Sequence, residues 1–198
     1  MRKTHPTLAV LSKLNTPEKI QDFLNELPFN HEKNGETYHS VLKTLESGRA
    51  HCFEGALVAA AALWLQGEKP LLMDLRTTDG DQDHVVALYK KNRLWGAISK
   101  TNHPVLRFRD AVYKTPREIA MSYFHEYYLA DGTKTLRKYS EPFDLSKIKF
   151  DWLLGEEELF LLVDELDKSK HFDIVPKGLS LRKADKIERT FTDHIEYK

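Results

Sequence analysis

After Thr16-Pro17-Glu18, Ile20, Phe23, Leu24 and Leu27 fall on one face at helical spacing. Thr16 reads as an N-cap, Pro17 as the first helical residue and Glu18 as a first-turn acid, and Pro28 ends the run. Tyr38, Val41, Leu42 and Leu45 form a second stripe, predicting a helix closed by Gly48, the residue type that best tolerates a left-handed C-terminal turn. From Cys52 to Gly67 the chain is apolar nearly all round, with a run of alanines. That pattern predicts a buried helix that lets its neighbours approach closely.

Pro70 to Thr77 reads as a short apolar strand and Asp79-Gly80-Asp81-Gln82 as the loop after it. His84 to Tyr89 and Leu94 to Ser99 read as strands joined through the polar turn Lys90-Lys91-Asn92-Arg93, an antiparallel hairpin. Leu106, Arg107, Phe108 and Arg109 alternate as in a half-exposed strand, and the two arginines read either as flanking a cleft for an acidic or carboxylate-bearing substrate or as solvated. Thr115-Pro116-Arg117-Glu118 is a capping-box start leading into Ile119, Met121, Tyr123, Phe124 and Tyr127; with Tyr128, the aromatic stripe reads as core. Gly155 to Asp167 reads as a leucine-rich amphipathic helix, and Leu179 to Lys198 as a charged peripheral appendage. The pattern is α+β: a central buried helix on an antiparallel sheet, with additional N- and C-terminal helices. We expect one domain over residues 1–198, with a core over about 16–140 and a helical extension over about 150–198.

Composition narrows the partners. Thirty basic residues balance thirty acidic ones in a chain of 198 residues, with 41% apolar and 30% charged. No basic surplus points to nucleic acid. Gly55 to Leu65, the longest apolar run, is far short of the roughly 20 residues that cross a bilayer, and no apolar stretch follows the charged start, so we expect a cytoplasmic protein without a membrane partner. The composition carries no information on oligomeric state. A single cysteine cannot form an internal disulfide and suits a reducing compartment.

Cys52 opens the buried helix, where the helix dipole and free backbone N–H groups favour a thiolate and a developing oxyanion. His84 heads a later strand, a rigid place from which to hold an imidazole against sulfur. His51 either enters this site or caps the helix, and Glu54 suits the dipole of the first turn. Trp95 reads as a wall of the site or as core packing. The Asp79 to Asp83 loop fails the calcium-loop pattern at Lys90, no H-E-x-x-H occurs, and Cys52, His51, His84 and His103 lack zinc spacing. We expect neither metal nor organic cofactor.

Gly48-Arg49-Ala50-His51-Cys52-Phe53-Glu54-Gly55-Ala56, with Asp83-His84-Val85-Val86-Ala87-Leu88-Tyr89 and Leu94-Trp95-Gly96-Ala97-Ile98-Ser99, resembles the transglutaminase-like branch of the papain-like cysteine superfamily. The resemblance spans roughly Thr37 to Asn102. It extends to Tyr139 against uncharacterised bacterial transglutaminase-like proteins, through stretches similar to Trp95 to Asn102 and to Met121-Ser122-Tyr123-Phe124. It implies a papain-like core in which Cys52 is the nucleophile and His84 the base; Trp95 and His51, by their positions beside these two, are the candidate contacts for substrate. The sequence departs from the pattern at Ser99, where the resemblance implies an orienting Asp; either Ser99 or Asn102 is then left to hold the ring. The expected function is a cysteine-dependent hydrolase or acyltransferase acting on an amide, peptide or thioester, with water the preferred acceptor. The alternative is an inactive member of the fold that binds a peptide or small amide.

Overall fold

The computed structural model describes residues 5–33 and 35–193. Its centre is helix α3 (Cys52–Leu65), in which Phe53 through Leu63 are all buried. Two shorter helices lead into it. In α1 (Pro17–Glu26), the Thr16 hydroxyl accepts the Lys19 amide; α2 (Val41–Ser47) starts at Ser40 and ends at Gly48, whose φ of 65° is the left-handed stop. Tyr38 therefore lies outside the helix that its stripe suggested. Ahead of α1, residues Pro6–Lys13 form a 3-10 helix, absent from the sequence reading, that buries Leu8 and Leu11.

Among the described residues, seven antiparallel strands make one sheet. These are β1 (Leu71–Arg76), β2 (His84–Lys91), β3 (Leu94–Ile98), β4 (Arg109–Tyr113), β5 (Lys138–Ser140), β6 (Phe143–Asp144) and β7 (His171–Asp173). The order is β4-β3-β2-β1-β5-β7, and β6 shares the outer edge of β1 with β5. Both faces of β2 are covered, so it reads as a continuous apolar run rather than an alternating one. Val85, Ala87 and Tyr89 join the cluster around α3; Val86 and Leu88 join the one packed with α4 (Pro116–Phe124). The β2–β3 hairpin is tighter than the four-residue turn expected. Lys91 pairs with Leu94, and Asn92 and Arg93 alone make the turn at φ 52° and 68°, the twist that suits two-residue hairpins.

The C-terminal part departs most from expectation. Helix α5 (Phe160–Lys168) begins five residues after Gly155; before it, the Leu159 amide donates to the Tyr38 carbonyl at 2.8 Å, a tie to the α2 entry. This region is not a helical extension, because Leu162 and Leu166 join the main core and β7 pairs with β5 on the sheet. Helix α6 (Lys186–Asp193) lies in the charged terminal segment and is tied to the 128–132 loop, with the Tyr128 hydroxyl donating to the Glu188 carbonyl at 2.9 Å. Residues 194–198 of that segment lie outside the described residues. Among the described residues, no helix is long and apolar enough to cross a membrane.

One close approach sets the position of β3 against α3. The Lys100 side chain lies across Gly55 so closely that a Cβ at position 55 would stand 2.3 Å from Lys100 Cβ. Beyond that crossing, the Lys100 ammonium donates to the Leu24 carbonyl at 2.9 Å and to the Leu27 carbonyl, closing the C-terminal turn of α1. Burial lowers the Lys100 pKa to about 8. Gly55→Ala is expected to cost about 1–3 kcal/mol through overpacking, read as a lower denaturation midpoint at unchanged slope. An unchanged midpoint would show that the Lys100 stem gives way.

Candidate active site

The α3 N-terminus is built around a carboxylate. Glu54 is completely buried, and a buried charge must be met by donors. Its Oε2 accepts the His51 amide at 3.1 Å and the Asn30 side-chain amide at 3.2 Å; its Oε1 accepts the Thr37 hydroxyl at 3.1 Å and lies 2.9 Å from His39 Nδ1. These contacts fold residues 30–39 over the helix start. Glu54 is thus more than the dipole-favoured acid expected from its position.

His51 is the N-cap of α3. Its Nε2 faces the Thr37 carbonyl at 2.7 Å, an acceptor only, so Nε2 carries a proton. Its Nδ1 faces the Phe53 amide at 3.3 Å and caps the helix in the neutral ring. Burial opposes a charge on this ring, but the hydrogen bond and charge of Cys52, the charge of Glu54 and the Thr37 carbonyl outweigh it and raise its pKa to about 9. The two descriptions differ in the proton on Nδ1. The neutral ring caps the helix; the charged ring turns that proton to the sulfur.

Cys52 is the first residue of α3 and is partly exposed. Burial pushes its thiol up, but hydrogen bonds from His51 and His84 and the charges of both rings bring it down to about 5. His84, at the head of β2, directs Nε2 to the Ser99 hydroxyl at 2.7 Å. Ser99 Oγ donates its one hydrogen to the Leu106 carbonyl at 2.8 Å, so it accepts from His84 Nε2–H. The ring's remaining nitrogen, Nδ1, is left to face Cys52, accepting the thiol hydrogen in the neutral ring and donating to the thiolate in the charged one.

Among the expected site residues, Cys52, His84 and Ser99 come together. Ser99 holds the ring; Asn102 does not, and instead lies exposed on the wall of two clefts that meet at Cys52. His51 both caps the helix and lines the larger cleft. Trp95 is a correction. It lines neither cleft and sits under the Lys90 ammonium, 4.0 Å from its ring centre. It is four residues along the strand from Ser99, about 13 Å at the usual rise. Arg107 and Arg109 do not flank the cleft either: Arg107 donates to Asn25 at 3.0 Å, and Arg109 pairs with Glu126 and lies over the Tyr123 ring.

The larger cleft has a volume of about 840 Å³ and the smaller about 120 Å³. Seven carboxylates line the larger one against a single arginine, Arg76, itself engaged by Asp74 and Asp167. Asp79, Asp81 and Asp83 stand on the β1–β2 loop, Glu32 and Glu36 on the loop that Glu54 organises. The Asp83 carboxyl is pushed up by burial and by the charge of Asp74. Among the described residues, no group of three or more His, Cys, Asp or Glu is arranged to hold a metal ion. A scan against models of known protein families finds no match, and neither does a search of curated proteins.

Alkylation follows the thiolate fraction, which rises with pH through the thiol pKa, so a lowered pKa moves the reaction midpoint down. The intact protein is expected to react with iodoacetamide at full rate through neutral pH, slowing only near the Cys52 midpoint of about 5. His84→Ala and His51→Ala each raise that midpoint, because each removes a donor to the thiolate. Ser99→Ala raises it less and Asn102→Ala leaves it in place. Equal effects of Ser99→Ala and Asn102→Ala would contradict the ring geometry.

Proposed function

We propose that this chain is a cysteine-dependent hydrolase or acyltransferase with a transglutaminase-like, papain-like core, acting on an amide, peptide or thioester carbonyl. The observation that carries this reading is a thiol brought down to about 5 between two imidazoles, at the start of a buried helix and at the junction of two clefts. The Cys52 thiolate attacks the carbonyl carbon, forming a C–S bond while the carbonyl π electrons move to oxygen. The Cys52 backbone N–H, at the first helical position, is the donor offered to that oxyanion. His84, protonated on Nδ1, gives its proton to the leaving amine as the C–N bond breaks, which leaves an acyl thioester. His84 then takes a proton from water, the hydroxide adds to the thioester, and Cys52 leaves as thiolate with release of the acid. An amine in place of water would give transfer instead.

The cleft supports a substrate of positive charge. Its carboxylates raise the local concentration of cations and repel anions, an effect that salt screens. Phe29, Tyr38, Phe53, Val163 and Leu166 give the same cleft an apolar side. A peptide carrying Lys or Arg beside an apolar residue matches both walls. One observation favours a second reading: the partner of His84 is a hydroxyl without charge, which stabilises imidazolium less than a carboxylate does. A cleft that binds such a peptide without cleaving it is that reading.

The test is a set of peptide amides and thioesters differing only in the charge beside the scissile carbonyl, followed by intact-protein mass. The first reading expects an acyl adduct on Cys52, absent in Cys52→Ala, and a kcat/KM about tenfold higher for cationic than for anionic substrates at low salt, narrowing as salt rises. Asp81→Asn with Asp83→Asn is expected to reduce that preference. Binding of cationic peptides with no adduct from any substrate would replace the enzyme by the binding domain.

A further inference from the structure

We propose that Gln21, on α1, is a positioning residue for the Cys52–His84 pair, acting through Ser99; this rests on the reading that the pair is the reactive site. Gln21 is a polar side chain only 5% exposed, among Ile20 and Leu24, which are fully buried. Its amide closes a two-point clamp on the main chain of Ser99. Nε2 donates to the Ser99 carbonyl at 2.8 Å, and Oε1 accepts the Ser99 amide at 3.0 Å. Ser99 lies one residue past the last β3 pair, Ile98 with Ala87, where no strand partner fixes the backbone. The glutamine amide supplies the two hydrogen bonds a neighbouring strand would make.

The clamp is braced. Gln21 Nε2 also donates to Asn25 Oδ1 at 2.9 Å, and the same oxygen accepts from Arg107 at 3.0 Å. Arg107 follows Leu106, whose carbonyl takes the Ser99 hydroxyl hydrogen. Both ends of the segment from Ser99 to Arg107 are therefore tied to α1, and the direction of the Ser99 hydroxyl is set from both sides. A carboxylate attracts an imidazole N–H from a range of directions and carries charge. A hydroxyl selects one tautomer only where its hydrogen is committed elsewhere and its lone pair is aimed, and the clamp meets that condition.

The experiment is Gln21→Met, which keeps the volume and loses both bonds to Ser99, read by the imidazole nitrogen spectrum of His84 and by the pH profile of Cys52 alkylation. We expect the neutral ring's single Nε2–H form to give way to a tautomer mixture, and alkylation near pH 4, below the Cys52 midpoint of about 5, to slow about tenfold for one unit of thiol pKa. Adding Ser99→Ala to Gln21→Met is expected to bring no further loss beyond Ser99→Ala alone, because the two act in series. Gln21→Glu, which keeps the acceptor for the Ser99 amide, is expected to fall between wild type and Gln21→Met and serves if Gln21→Met fails to fold. A lower melting point with tautomer and alkylation profile both unchanged would overturn the proposal. A tautomer that shifts in Gln21→Met while the wild-type thiol shows an ordinary profile would keep the positioning role and remove the proposed reaction.

Discussion

The Glu54 carboxylate, with no exposed surface, is the constraint on which the candidate site depends. An ionised carboxylate withdrawn from water costs several kcal/mol unless its lone pairs are filled, and removing one partner of such a group is more damaging than never having built it. Its donors come from Asn30, Thr37 and the main-chain amides of His39 and His51, so satisfying it folds one loop onto the helix and fixes the main chain just before Cys52. His39 extends the tie to Glu158 at 3.4 Å, just ahead of α5. One buried carboxylate thus ties the loop between α1 and α2 and the residues just ahead of α5 to the helix that Cys52 opens, and it makes the wall that carries Glu32 and Glu36.

Opposite that wall, the chain substitutes geometry for charge. His84 meets a hydroxyl, Ser99 Oγ, whose own hydrogen is committed to Leu106. A second source of positive charge for the sulfur is His51, whose pKa of about 9 keeps it cationic at neutral pH. A carboxylate-backed base stabilises the ion pair through its own ring; here the pairing is spread over two rings, one on the helix cap and one on the strand. That arrangement favours the thiolate although no acid stands on His84.

Much of this frame was legible in the residues. Proline at the first helical position after a threonine places α1 and α4 because the capping chemistry is local, and the unbroken apolar run from Phe53 predicts burial on all sides. Cys52 and His84 follow from a helix start and a strand head, positions that local pattern carries, whereas Ser99 came from the resemblance, which left it level with Asn102. The parts that were not legible depend on contacts distant in sequence. Gln21 and Lys100 look like surface residues until α1 and the end of β3 are brought together, 78 positions apart for Gln21 and Ser99. Strands β5 and β7 are three residues each, too short for alternation to register. The leucine pattern from Gly155 overran the true start of α5 because Leu159 and Tyr38 are joined by a main-chain bond no periodicity reports. Trp95 misled because proximity along a strand was read as proximity in space, while a strand carries its residues steadily away from the site.

The charge of the cleft bears on how such a site would work. A thiolate on the floor of a cleft with seven carboxylates meets like charge, so the lining acts against the very ionisation that makes Cys52 reactive. In a chain with no net charge, this concentration of acid is local, not a consequence of overall composition. A cation entering the cleft offsets the repulsion and strengthens the thiolate at the moment a carbonyl is brought to it. An anionic ligand would do the reverse, and a neutral one would leave the repulsion in place. Selectivity and activation would then share one cause, the field of the cleft, with the two imidazoles holding the thiolate until a cationic substrate arrives.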